Sequence, residues 1–77
     1  MKRPELQALG NRIRTLRLQQ GMTQEELADG ARLHRTYIGG IERGERNVAY
    51  LNLLVIARAL NMPIEELFIK DRRKANE

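Results

Sequence analysis

The side chains able to do chemistry in this 77-residue chain are few and unevenly placed. There is no serine and no cysteine, so the common hydroxyl and thiol nucleophiles reduce to Thr15, Thr23 and Thr36, and disulfides and thiolate metal sites are excluded. A single histidine, His34, does not make the cluster of ligands that a metal site needs. The acid pairs Glu25–Glu26 and Glu65–Glu66 fall at expected helix starts, where carboxylates complement the helix dipole. Hydrolysis and group transfer therefore have no machinery, and no cofactor, metal or small-molecule effector is expected. What remains is a run of hydrogen-bonding side chains, His34, Arg35, Thr36 and Tyr37, followed by Arg43, Arg46 and Asn47. The net charge is +4, and the first twenty residues carry five basic side chains against one acid, whereas residues 21–34 are net acidic. Such asymmetry fits a protein that presents selected faces to a polyanion.

These side chains need elements to hold them. Thr23 followed by Glu26 is a capping box, in which hydroxyl and carboxylate each satisfy a free backbone N–H, so a helix is expected to begin at Gln24. Leu27 and Ala28 give it a short apolar face, and Gly30 is where the chain is expected to leave it. A helical period resumes from Arg35 to Arg43 through Ile38 and Ile41, and two helices joined so closely must cross steeply. Before this pair, Pro4 suits a first helical position, and Leu6, Leu9, Ile13 and Leu16 predict a helix from about Pro4 to Gln20, ended by Gly21. After it, a polar loop over Gly44 to Val48 leads to a fourth helix, Ala49 to Leu60, with Tyr50, Leu53, Leu54, Ala57 and Leu60 on its core face. Asn61 and Pro63 punctuate that helix, and a short fifth one from Pro63 to Ile69 is expected to bury Ile64, Leu67 and Phe68. Nothing alternates with a period of two, so the expected class is all-α, a single domain over residues 1–77, with Met1 to Arg3 and Asp71 to Glu77 read as frayed ends. No apolar run reaches membrane-spanning length, and Met1 to Gly10 has no secretory pattern. The default compartment is a bacterial-type cytoplasm shared with the chromosome.

The ordered set L-G-N-R-I-R-T-L-R (Leu9 to Arg17), G-M-T-Q-E-E-L-A (Gly21 to Ala28), R-T-Y-I-G-G-I-E-R-G-E-R-N (Arg35 to Asn47) and A-R-A-L-N-M-P-I-E-E-L-F (Ala57 to Phe68) resembles the phage repressor and Cro-like (Xre-type) helix-turn-helix family. The likeness is greatest to the small controller proteins of bacterial restriction-modification systems. It implies a compact five-helix lambda-repressor-like DNA-binding domain. The second helix of such a pair reads base edges in the major groove with its N-terminal residues. Here these are His34, Arg35, Thr36 and Tyr37, with Gly40 one turn on. The Arg35 guanidinium can donate two bonds to O6 and N7 of one guanine, and Thr36 can offer a methyl to thymine or a hydroxyl to a polar edge. Tyr37 either reaches a phosphate or sugar or is partly a core residue. Gly39 and Gly40 each cost the helix about 1 kcal/mol relative to alanine, which suggests either a close approach to the groove or looser packing. The resemblance assigns a phosphate contact to Gln24, and Arg43, Arg46 and Asn47 lie where a loop would pass the backbone. Arg12 and Arg14 are expected to add to the field without direct contact.

The resemblance also pairs Arg17 with Glu42 as a buried ion pair. Two positions depart from the pattern: the usual turn glycine is Arg32, which takes a left-handed corner only with strain, and the usual serine cap is His34. The fourth helix departs as well, because Leu51, Val55 and Ile56 lie off its core face and leave it apolar almost all round. A partner is implied. The expected function is a sequence-specific transcriptional regulator, a homodimer held by Leu51, Leu54, Val55 and Phe68 on a palindromic operator. The rival is an antitoxin-type protein whose last two helices bind a partner protein as well as DNA.

Overall fold

The computed structural model describes residues 3–69, and the expected frayed ends at Met1, Lys2 and Asp71 to Glu77 lie outside them. Four α-helices follow in order, α1 (Pro4–Gln19), α2 (Gln24–Ala31), α3 (Arg35–Glu42) and α4 (Tyr50–Ala59), and then a 3-10 turn over Ile64–Phe68. The fifth element is thus not an α-helix. It has only five residues behind Pro63, and the Glu66 N–H donates to the Pro63 carbonyl (3.0 Å), the i to i+3 bond of the 3-10 form that short pieces favour.

Local chemistry accounts for most boundaries. Pro4 stands in the first turn of α1, and Gly21, at φ 68°, supplies the left-handed residue that turns the chain out of it. The Thr23 capping box is complete: Thr23 Oγ1 accepts from the Glu26 N–H at 3.0 Å, and Glu26 Oε1 accepts from the Thr23 N–H at 2.8 Å. The exit from α2 differs from expectation. Gly30 lies inside the helix, and the left-handed residue is Arg32, at φ 57° and ψ 43°. Gly30 has a packing use instead, since a Cβ there would sit 3.2 Å from Cβ of Ala59 on α4.

The helices enclose one cluster in which Ile13, Leu16, Leu27, Ile38, Ile41, Ile56, Leu60 and Leu67 have essentially no exposure. At about 1.5–3 kcal/mol for each buried aliphatic side chain, this cluster is the main source of cohesion. α3 is pressed close to α1. A Cβ at Gly10 would collide with the Ile41 carbonyl oxygen and lie 2.8 Å from that of Glu42.

The core face of α4 is Leu53, Ile56, Ala57 and Leu60, with Ile56 fully buried and Tyr50 63% exposed, so Tyr50 and Ile56 exchange the places expected of them. Leu54 is only half-buried. Phe68, expected inside, is 61% exposed, and Leu67 alone of the 3-10 turn is buried. Arg12 is not a bystander: its Nε donates to the Glu66 carbonyl (2.8 Å) and its Nη2 to Glu66 Oε1 (3.1 Å), fixing the turn against α1.

Candidate nucleic-acid interface

α3 presents two unlike ends. At its C-terminal end Glu42 is buried and meets Arg17 of α1 in a two-pronged pair, Nε to Oε2 at 2.7 Å and Nη2 to Oε1 at 2.9 Å. Arg17 Nη1 also donates to the Met22 carbonyl (2.8 Å), and Gln24 Nε2 donates to Glu42 Oε1 (3.1 Å). The hydrogen bond to Glu42 raises the Arg17 pKa above its ordinary value, burial opposes the rise, and charge attraction adds to it. One network therefore ties α1, the start of α2 and the end of α3.

The N-terminal end of α3 is open. His34, Arg35 and Thr36 are all exposed, and His34, the residue before the first turn, makes no capping bond with its side chain. No acid stands in that first turn, so the partial positive charge of the helix end is left for an incoming anion. Arg35 and Thr36 share an open cleft between α2 and α3 with Asp29, His34, Tyr37 and Arg46.

The other expected contact residues divide. Gln24, half-buried, has one amide N–H committed to Glu42, and its second donor remains for a phosphate. Arg43 is exposed and pairs through Nε with Glu45 Oε1 at 3.1 Å, and Asn47 is exposed. Tyr37 is half-buried against the core, and its hydroxyl accepts from Asn52 Nδ2 of α4 at 3.1 Å. The Arg46 guanidinium carbon stands 5.2 Å from the centre of the Tyr37 ring, a cation–π distance.

Gly40, expected among the reading positions, is buried, and a Cβ there would lie 2.9 Å from Cγ of Arg46, so the missing side chain makes room for that stem. Gly39 is covered likewise, with Arg43 Nη1 3.2 Å and Gln24 Oε1 3.5 Å from a Cβ position. Looser packing, one of the two uses weighed for this glycine pair, is not what the structure has: the protein's own side chains pack closely over both positions. Sequence reasoning missed Asn52; its one signal was a lone amide in the apolar run Y-L-N-L-L-V-I.

Residues 13–67 match the family profile described as Helix-turn-helix. The control protein C.SmaI of Serratia marcescens is 41% identical over 66 residues, covering 86% of this chain and 79% of its own. The control protein C.BamHI of Bacillus amyloliquefaciens is 46% identical over 59 residues, covering 75% and 73%. The crystal structure of the restriction-modification controller protein C.AhdI from Aeromonas hydrophila superposes with a TM-score of 0.85 at 45% identity, over 86% of this chain and 100% of that one. With an exposed donor set on the second helix of the pair and these likenesses over most of its length, the chain belongs to the Xre-type helix-turn-helix family of DNA-binding transcriptional regulators.

Proposed function

We propose that the protein is a homodimeric regulator of the controller type that reads an inverted-repeat operator with the N-terminal end of α3. The observation that carries this reading is the open end of that helix, where Arg35 and Thr36 project beside an unoccupied positive dipole while the far end is locked by Glu42. Arg35 supplies the specific contact, with Thr36 and His34 beside it. Gln24, Arg43, Arg46 and Asn47 surround them as the backbone-facing set, and the last two helical elements supply the dimer face.

Dimerisation is supported by exposed apolar surface. Leu51 is 71% exposed and Phe68 61% exposed, and Leu54 is half-buried. Val55 is also half-buried but packs on the core, so it supports the interface from behind. One short helix reads only a few base pairs, and two copies about a two-fold axis place the half-sites about 34 Å apart, on one face of the duplex. The no-enzyme reading is supported by the family, whose members are DNA-binding regulators. No helix among the described residues is long and apolar enough to cross a membrane.

The test pairs selection of a site from random DNA with analytical ultracentrifugation. The parent should select a palindrome and sediment as a dimer. Leu51→Glu combined with Leu54→Glu should give a folded monomer that keeps only weak, salt-sensitive binding. A parent that stays monomeric at high micromolar concentration, and binds an isolated half-site as well as the full site, would overturn the proposal.

A further inference from the structure

Arg46 leaves the loop after α3 and runs back along that helix rather than away from it. Its stem crosses Gly40, where a Cβ would lie 2.9 Å from Cγ and 3.5 Å from Cδ, and its guanidinium ends 5.2 Å above the ring of Tyr37. Tyr37 lies one helical turn nearer the open end than Gly40. The side chain is thus carried toward Arg35 and Thr36, with which it lines one cleft. An exposed arginine normally samples many rotamers, and holding it over a ring removes part of that freedom before any ligand arrives.

The ring needs an anchor of its own to act as a platform. Its inner side packs on the core, and the hydroxyl is held by Asn52 Nδ2 at 3.1 Å. Asn52 belongs to the first turn of α4, outside the helix-turn-helix, and is part-buried between the exposed Leu51 and the buried Leu53.

Resting on the function proposed above, we infer that Asn52 is a positioning residue for DNA recognition: it fixes the Tyr37 ring, and the ring together with the bare Gly40 aims Arg46 at the reading end of α3. Asn52 itself touches no base. It acts only through Arg46, and its effect vanishes when Arg46 is gone. Because Asn52 adjoins Leu51, the proposed dimer face and the aim of Arg46 are set by neighbouring residues of one helix turn.

The experiment is a double-mutant cycle read by fluorescence anisotropy on the selected operator, using the full chain. Asn52→Leu keeps the number and branching of the side-chain heavy atoms, favours helix and removes the donor. It should weaken binding about two- to fivefold per half-site, the size of an exposed cation–π contact, and about four- to twenty-five-fold on a two-fold operator. In an Arg46→Ala background the same change should cost almost nothing, because coupled residues are not additive. Tyr37→Phe, which removes the acceptor and keeps the ring, should likewise abolish the effect of Asn52→Leu. Gly40→Ala should raise the melting temperature through helix propensity yet weaken binding, again only while Arg46 is present. Equal losses with and without Arg46 would reduce Asn52 to a fold residue, and unchanged binding for Asn52→Leu or Gly40→Ala would overturn the inference. A parent that selects no site at all fails earlier, and fails the functional reading rather than this one.

Discussion

Replacing Glu42 by alanine tests the scaffold at its most concentrated point. The carboxylate is buried, with 3% of its side chain exposed against 8% for Arg17, and it accepts from Arg17 twice and from Gln24 once. Its removal leaves a guanidinium under cover with a single remaining acceptor, the Met22 carbonyl. Stranding one partner of a buried pair costs about 3–5 kcal/mol. A 77-residue domain at about 0.05–0.15 kcal/mol per residue has roughly 4–12 kcal/mol in total, so the loss consumes about a quarter of it or more. At about 6 °C per kcal/mol for a domain of this size, the melting midpoint should fall by about 20–30 °C. Circular dichroism melts at one fixed protein concentration provide the measurement, because the proposed dimerisation would make the midpoint depend on concentration. The apolar replacement Arg17→Met with Glu42→Leu should recover most of the loss, since the double variant strands no charge. A Glu42→Ala midpoint within two or three degrees of the parent, or a double variant worse than the single one, would refute the reasoning.

Arg35→Ala should lose about 1–3 kcal/mol on the selected operator and little on random DNA, whereas Arg43→Ala should weaken both alike; equal losses for Arg35→Ala would demote it to a phosphate contact. Arg32→Gly should raise the melting midpoint, because relief of a left-handed conformation worth about 1–2 kcal/mol outweighs the roughly 0.4–1 kcal/mol of extra freedom that glycine gives the unfolded chain. A lowered midpoint would mean that the Arg32 side chain stabilises the corner. Gly10→Ala should destabilise by about 1–3 kcal/mol or more, since the new methyl meets backbone oxygens of α3 rather than a movable side chain. The raised Arg17 value gives protonated-state stability that is complete below the guanidinium's unfolded pKa and lost only as pH rises through the still higher folded value, so this arginine should add no slope to a pH–stability curve near neutrality.

How much of this was legible depended on whether a position carried its own local signal. The Thr23 box declares itself through residue types at fixed spacing, and the structure completes both of its bonds. Gly21 likewise marks the end of α1 because that corner requires positive φ. At the turn after α2 residue types alone pointed to Gly30 as the exit, whereas the resemblance put the left-handed corner at Arg32, where the structure has it; interhelical crowding and not backbone freedom decides the glycine. α4 misled for another reason. A helix apolar on nearly every side contains no phase information, so Tyr50 and Ile56 were placed on opposite sides from those they occupy. The roles of Arg12 and Asn52 depend on side chains 54 and 15 residues away, and that of Gly40 on how Arg46, a near neighbour in sequence, folds back over the helix. The pair of Arg17 and Glu42, twenty-five residues apart, was visible only through family resemblance and not through spacing.

The crossing of α1 and α3 at Gly10 makes the recognition helix a cantilever. Its root is clamped by backbone contact and by Glu42, and its tip carries His34, Arg35 and Thr36, which no hydrophobic contact requires. Substitutions at the tip leave the core untouched, so on the proposed reading the address could be rewritten without rebuilding the domain. Two such proteins sharing a cell would then become insulated from one another through three side chains, while both kept one framework and the proposed mode of pairing. The root does not share that freedom: changes at Gly10, Arg17 or Glu42 alter the attitude of every reader at once, and drift is therefore expected to accumulate at the tip.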